Sequence, residues 1–363
     1  MKLARILAVA MAVPLSALAE TVWTEALDLT LEGKAGADTV HPYDRLPRSA
    51  EGKVPKGVWK YGRHSTGLAV RFVTDATNVS VRCIIDSAEP PYAFSSRASV
   101  LGCDVYGKVP GGYRFICDIA PYRPFSGEEM TNSMTFAWRP GREGLVYLPL
   151  RASVKSLAIG VERGFAVSKA PVRASGVAKP VVHYGTSIVH GGNASRPGMA
   201  FPAIEGRLAD VPVVNLGFSG SGRCEIALAE VLAGVDASLY VVDCVWNLQP
   251  NQLTKRLEPF VRELHRRRPC VPILLAAGCS TDLTDRTDAC GHPLLEDNAI
   301  VKGVCDRLRA ESEDFARTLH YLPSEGMLPQ DGDATCDHCH PNDYGCMQMG
   351  RAYAQKIREI LRQ

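Results

Sequence analysis

From residue 177 onward, short apolar runs alternate with amphipathic segments, and this alternation constrains the fold more than any other feature of the chain. Residues 180–184, 211–216, 238–245, 271–277 and 319–322 have the length and apolar continuity of buried strands. Between them, residues 199–208, 225–232, 253–267 and 298–319 repeat apolar side chains at helical spacing, and a last helix is expected over 344–361. A parallel strand is reached only through a crossover connection, usually a helix. Strand and helix in strict succession therefore predict an α/β unit, a parallel sheet with helices on both faces. In such sheets ligands bind beyond the carboxyl ends of the strands.

The preceding stretch, 20–175, reads as all-β. Residues 68–73 and 79–84 alternate apolar and polar side chains in the period of half-buried strands, with 75–78 as a turn between them. Further strand-like runs occupy 112–118, 133–138, 144–150 and 156–161. Short strands separated by turns predict a β-sandwich or jelly roll. Such a unit could cover the second half or bind substrate, and both roles stay open. At the start, Lys2 and Arg5 precede an apolar run ending in Ala17-Leu18-Ala19, the pattern of a cleavable signal peptide. The expected organisation is a signal peptide over 1–19, a β-sandwich or jelly-roll accessory domain over 20–175 and a catalytic domain over 176–363. A secreted or periplasmic protein is expected, without a lipid anchor because Glu20, not Cys, follows the cut.

Loss of residues 1–19 removes Lys2 and Arg5, leaving 39 basic against 39 acidic residues. A balanced charge gives no reason to expect a nucleic-acid partner, and no segment is long and apolar enough for a membrane anchor. Twelve cysteines in an exported chain suggest disulfides. Cys279 with Cys290, and Cys336 with Cys339, flank polar loops, but the pairing does not follow from sequence.

The chemistry-bearing residues fall just after strands or before the last helix. Ser187 follows the first strand of the α/β unit, where a hydroxyl projecting from the sheet needs an adjacent base to become a nucleophile. It could equally cap a helix. Asp337 and His340 lie three residues apart before Pro341, a spacing that lets a carboxylate orient an imidazole on one turn. Gly220 offers a backbone N–H to an oxyanion without a Cβ in the way, and Asn247 offers a side-chain amide. His190, Arg196, Arg223, Glu225 and Trp246 are candidate substrate contacts by position alone. For Arg223 and Glu225 a pairing at the helix start competes with that role, and for Trp246 burial competes with stacking on a sugar. Cys336, His338, Cys339 and His340 resemble metal ligands, with Cys290 and His292 as far partners. Structural zinc needs a well-separated second pair, so thiols or a disulfide are expected, with no metal and no cofactor.

On these residues the second half resembles the SGNH hydrolases, the GDSL-like esterase and lipase superfamily. The resemblance implies a flavodoxin-like hydrolase domain with Ser187, Gly220, Asn247 and His340 as the defining set and Asp337 three before the histidine. Gly102-Cys103-Asp104-Val105-Tyr106 resembles the Gly-x-Asp-Leu-Tyr signature of a β-rich domain that precedes some bacterial members. Tyr184-Gly185-Thr186-Ser187-Ile188 and Ser195-Arg196-Pro197-Gly198 resemble the same subgroup. Gly-Thr-Ser-Ile replaces the usual Gly-Asp-Ser-Leu, and Val245-Trp246-Asn247-Leu248 replaces Gly-x-Asn-Asp. The resemblance implies a serine ester hydrolase with an acyl-ester substrate, foremost an acetylated carbohydrate. A lipase, lysophospholipase or thioesterase is the alternative, and an inactive glycan-binding protein the alternative of another class.

Overall fold

The computed structural model describes residues 20–90, 95–279 and 294–362. The β-rich half contains β1 (Thr21–Glu25), β2 (Thr30–Glu32), β3 (Ala69–Thr74), β4 (Asn78–Ala88) and β5 (Cys103–Val109). It continues with β6 (Gly112–Ile119), β7 (Met130–Ala137), β8 (Glu143–Tyr147), β9 (Ala152–Glu162) and β10 (Val167–Lys169). Two short helices, α1 (Lys56–Gly62) and α2 (Arg97–Leu101), interrupt them. One antiparallel sheet runs β1-β9-β4-β7, and the other runs β10-β3-β8-β5-β6 with β2 on β3. The alternation in β3 and β4 is real, but the two strands flanking the turn expected over 75–78 do not pair with each other. β3 pairs with β2, β8 and β10, whereas β4 pairs with β7 and β9. The reason is burial: Val70 and Phe72 of one strand and Val79 and Val81 of the other belong to a single core between the two sheets. Adjacent strands on opposite sides of a sandwich satisfy that demand better than a flat hairpin.

The second half carries β11 (Val181–Gly185), β12 (Val213–Gly217), β13 (Leu239–Asp243), β14 (Ile273–Ala276) and β15 (Leu319–Leu322). All pairings are parallel, in the order β12-β11-β13-β14-β15. The helices are α3 (Ser187–His190), α4 (Phe201–Ala209), α5 (Ile226–Ala233), α6 (Pro250–Arg267), α7 (Leu294–Glu311), α8 (Glu313–Thr318) and α9 (Asp343–Leu361). The segment 298–319, expected to be largely helical, divides at Ser312, whose hydroxyl caps α8 by accepting from the Phe315 N–H at 3.2 Å. α6 begins earlier than its apolar stripe, because Gln249 and Gln252 form a capping box with Pro250 at the first position.

The strand order is that of the flavodoxin-like doubly wound sheet, which reverses direction between its first and third strands. Here that switch point lies between β11 and β13. Gly185 is in register with Gly217 on one side and with Asp243 on the other, so the loops leaving β11, β12 and β13 emerge side by side. Beyond β12 the sheet edge is closed by the β-rich half. Arg45, fully buried, donates from Nη1 to the carbonyls of Asn215 (2.7 Å) and Gly217 (3.0 Å), and from Nε and Nη2 to those of His64 and Tyr61. Edge carbonyls that would otherwise be orphaned in the seam thus find donors.

Candidate active site

Ser187 is the first residue of α3; Thr186, not Ser187, is the cap, accepting from the Ile188 N–H. That frees the Ser187 hydroxyl. Its Oγ lies 2.7 Å from His340 Nε2, and His340 Nδ1 lies 2.8 Å from Asp337 Oδ2. Asp337 Oδ1 also accepts the backbone N–H groups of His340 (2.7 Å) and Cys339 (3.1 Å). The turn closes when Cys336 N–H donates to the His340 carbonyl and Asn342 caps α9. Burial works to raise the Asp337 carboxyl, but the His340 and Cys339 amides and the imidazole outweigh it and hold the carboxyl below its ordinary value. His338, exposed and at φ 61°, takes the left-handed backbone that lets the turn reverse within three residues.

Gly220 sits in the loop after β12 at φ 62°. A Cβ there would meet nothing within 4 Å, so glycine serves the backbone angle rather than relief of crowding. The Asn247 amide donates to the carbonyl of the neighbouring Ser221. One of its two N–H groups therefore fixes the loop after β12 to the turn after β13 (Val245–Asn247). Gly222, not singled out from the sequence, has φ 76°, and a Cβ on it would collide with the Gly185 carbonyl at the end of β11.

The remaining candidates separate by burial. His190 is fully buried, with Nε2 2.8 Å from the Leu150 carbonyl and Nδ1 3.1 Å from Ser219 Oγ. Burial, aided by Arg151 and Arg45, keeps it well below the ordinary histidine range. It supports the loop after β12 instead of lining a pocket. Trp246 is 5% exposed, which leaves its ring little face for a sugar. Arg223 and Glu225 are joined through the Arg223 backbone: its N–H donates to Glu225 Oε2 at 2.7 Å, and Tyr184 Oη donates to the same oxygen at 3.2 Å. The Arg223 residue itself is exposed. Arg196 is held by Asp104 and Tyr106 of β5, at 2.6 and 2.7 Å.

Cys83, Cys103, Cys117, Cys224, Cys244, Cys270, Cys279, Cys305, Cys336 and Cys346 are free thiols. The sulfurs of Cys224 and Cys244, both buried, stand 2.7 Å apart, and Cys224 has φ 52°. Cys290 and His292 lie outside the described residues. Among the described residues no cluster of three or more His, Cys, Asp and Glu could hold a metal, and no helix is long and apolar enough to cross a membrane.

A hydroxyl hydrogen-bonded to an imidazole that is oriented by a carboxylate, at the switch point of a parallel sheet, is an arrangement suited to acyl transfer. Residues 178–360 match the model of a GDSL-like lipase/acylhydrolase family, and residues 21–167 match that of the GxDLY domain, the N-terminus of SGNH-hydrolase-type esterases. A structure described as a GDSL-like lipase from Bacteroides ovatus ATCC 8483 is similar at 28% identity and TM-score 0.81, over 94% of this chain and 98% of that one. The salicylyl-acyltransferase SsfX3 from a tetracycline biosynthetic pathway shares the fold at 18% identity and TM-score 0.70, over 94% and 96% of the two chains. A family two carbohydrate esterase from Cellvibrio japonicus shares it at 11% identity and TM-score 0.57, over 95% and 99%. No curated protein matches the chain.

Proposed function

Because this chain belongs to the GDSL-like lipase/acylhydrolase family and is a carboxylic ester hydrolase, we propose that Ser187, His340 and Asp337 carry its reaction. The observation that supports this is the continuous hydrogen-bonded relay from Ser187 Oγ through both nitrogens of His340 to Asp337. His340 takes the Ser187 proton as the hydroxyl attacks the ester carbonyl. The negative oxygen is received by the Ser187 and Gly220 backbone amides and by the remaining N–H of Asn247. The alcohol leaves with the proton held on His340, and water then enters by the same route to release the acid. Loss of one such donor costs roughly a hundredfold or more in rate.

The proposed substrate is a short acyl ester, foremost an acetyl ester, on a carbohydrate. The two-part fold shared with family two carbohydrate esterases is compatible with this, and no long apolar lid is apparent among the described residues. The test compares the protein with Ser187→Ala on p-nitrophenyl acetate and octanoate, followed by acetate release from acetylated glycans. Acetate preferred over octanoate, with activity abolished in Ser187→Ala, supports the reading. Preference for octanoate favours a lipase or thioesterase; equal activity in both proteins removes the serine mechanism.

Export is proposed as well, with cleavage before Glu20, which amino-terminal sequencing of the exported chain would verify. In an oxidising compartment Cys224 and Cys244 are the proposed disulfide, joining the two loops that carry Gly220 and Asn247. Two thiols give up two protons and two electrons to a disulfide oxidant. The mass of the unreduced, alkylated protein distinguishes the bonded pair from two alkylated thiols.

A further inference from the structure

We propose that Asp104, in the β-rich half, is a positioning residue for the reaction at Ser187, an inference that rests on the hydrolase reading above. Asp104 is fully buried on β5. Its Oδ2 accepts from Arg196 Nη1 at 2.6 Å and from the Gly198 N–H at 2.8 Å. Tyr106 Oη, two residues along the same strand, accepts from Arg196 at 2.7 Å. The guanidinium lies 3.8 Å from the Phe115 ring centroid. A Cβ on Gly198 would overlap Tyr106 Oη and stand 2.8 Å from Asp104 Oδ2, so segment and strand fit without spare room. Ser96 adds a hydrogen bond to the Ser195 carbonyl. The segment 195–198 is thus gripped from the β-rich side at three successive points.

The other side of the same loop faces the site. Ser195 donates through N–H (2.8 Å) and Oγ (2.5 Å) to Asp343, the first residue of α9, three positions after His340. Gly192 packs against the imidazole so closely that a Cβ there would stand 2.7 Å from His340 Cδ2. Its N–H donates to the Ser187 carbonyl at 2.8 Å. The loop 191–198 is therefore a wedge. One end rests on Ser187 and the His340 ring, its middle holds the start of α9, and its far end is fixed by a buried carboxylate from the other half of the molecule. The carboxylate is fully buried and the guanidinium 21% exposed, so neutralising Arg196 leaves a buried charge without its hydrogen-bonded cation, and neutralising Asp104 removes the anchor that holds Arg196 in place. Small displacements of a catalytic imidazole are expensive in rate.

The experiment uses the full mature chain and the variants Asp104→Asn, Arg196→Gln and Arg196→Lys. Expected for Asp104→Asn and Arg196→Gln is a kcat lower by roughly ten- to a hundredfold with KM nearly unchanged. The inactivation rate of Ser187 by a small p-nitrophenyl phosphonate should fall by the same factor. Arg196→Lys should retain more activity than Arg196→Gln, and the double variant should be no worse than either single one. A folded Asp104→Asn protein with wild-type kcat and phosphonate rate overturns the proposal. A raised KM with unchanged phosphonate rate also overturns it, and makes the pair a substrate contact. Should Asp104→Asn fail to fold, the two Arg196 variants and Ser195→Ala give the same reading. Full activity in Ser187→Ala removes the hydrolase reading and this inference together, whereas an inactive Ser187→Ala beside an unaffected Asp104→Asn removes only the inference.

Discussion

Ser187, His340 and Asp337 are joined by hydrogen bonds, and in the proposed reaction each bond selects the state of the next. Asp337 has its pKa depressed in the folded chain by the amides and imidazole that face it. A depressed carboxylate contributes stability that is present above its unfolded value and is lost as pH falls through the folded one. In acid titration the stability advantage of the protein over Asp337→Asn should therefore hold at neutral pH and vanish only below the ordinary carboxylate range, as unfolding monitored by circular dichroism would show. The same variant should lose activity by a factor on the order of ten thousand, since an amide favours the wrong imidazole tautomer. Gly220 and Gly222 make a second pair of residue-scale predictions. Gly220→Ala meets only the left-handed backbone penalty, about 1–2 kcal/mol. Gly222→Ala adds an overlap with the Gly185 carbonyl and should be less stable than Gly220→Ala in denaturant melts. Ser187, His340, Asp337, Gly220 and Asn247 stood out in sequence because the proposed chemistry demands those residue types. Gly222 was not, because its constraint comes from the end of β11.

At the scale of elements, β11, β13, α4 and α9 meet around buried polar groups beneath the site. His183 of β11 is fully buried, with Nδ1 2.9 Å from Glu205 Oε1 of α4 and Nε2 3.9 Å from Asp243 Oδ2 of β13. Tyr353 of α9 donates to Asp243 at 2.7 Å. Burial opposes a charge on His183, but Glu205 and Asp243 prevail and raise it to about 9. Glu205 is itself pushed upward by burial, with His183 pulling it back. The two carboxylates around one imidazole favour the protonated ring. A group raised on folding contributes stability that is complete below its unfolded value, about 6.5, and is lost as pH rises through its folded value. Melting temperature should therefore decline between about pH 6.5 and 9, and His183→Gln should flatten that slope. The long elements were readable from periodicity. β1, β2, β5, β10, α1 and α2 were not, because each is short and lacks the continuous apolar run that made the equally short β11, β14 and β15 stand out.

At the scale of the whole molecule, the β-rich half is built into the frame of the catalytic half. Arg45 satisfies the edge of β12, Leu150 receives His190, and Gly67 fits against Asn215 so tightly that a Cβ would lie 2.5 Å from its Cβ. The proposed division at residue 176 is thus a boundary in sequence more than in stability. Residues 176–363 expressed alone should be aggregated or inactive, because the Asn215 and Gly217 carbonyls and His190 lose their partners. Size-exclusion chromatography and esterase assay of that fragment beside the full chain check this; a soluble, active fragment would contradict it. Arg45→Met in the full chain should cost at least about 2 kcal/mol, from carbonyls left buried without donors.

Sequence alone determined the class of the two halves and pointed to the chemical set now proposed for the site, because periodicity and residue type are local properties. Tertiary structure decided that β3 and β4 part into different sheets, that His190 supports a loop, and that Asp104 reaches Arg196 ninety-two residues away. Those outcomes depend on which distant surfaces compete to bury the same side chain, and no local pattern along the chain encodes that competition.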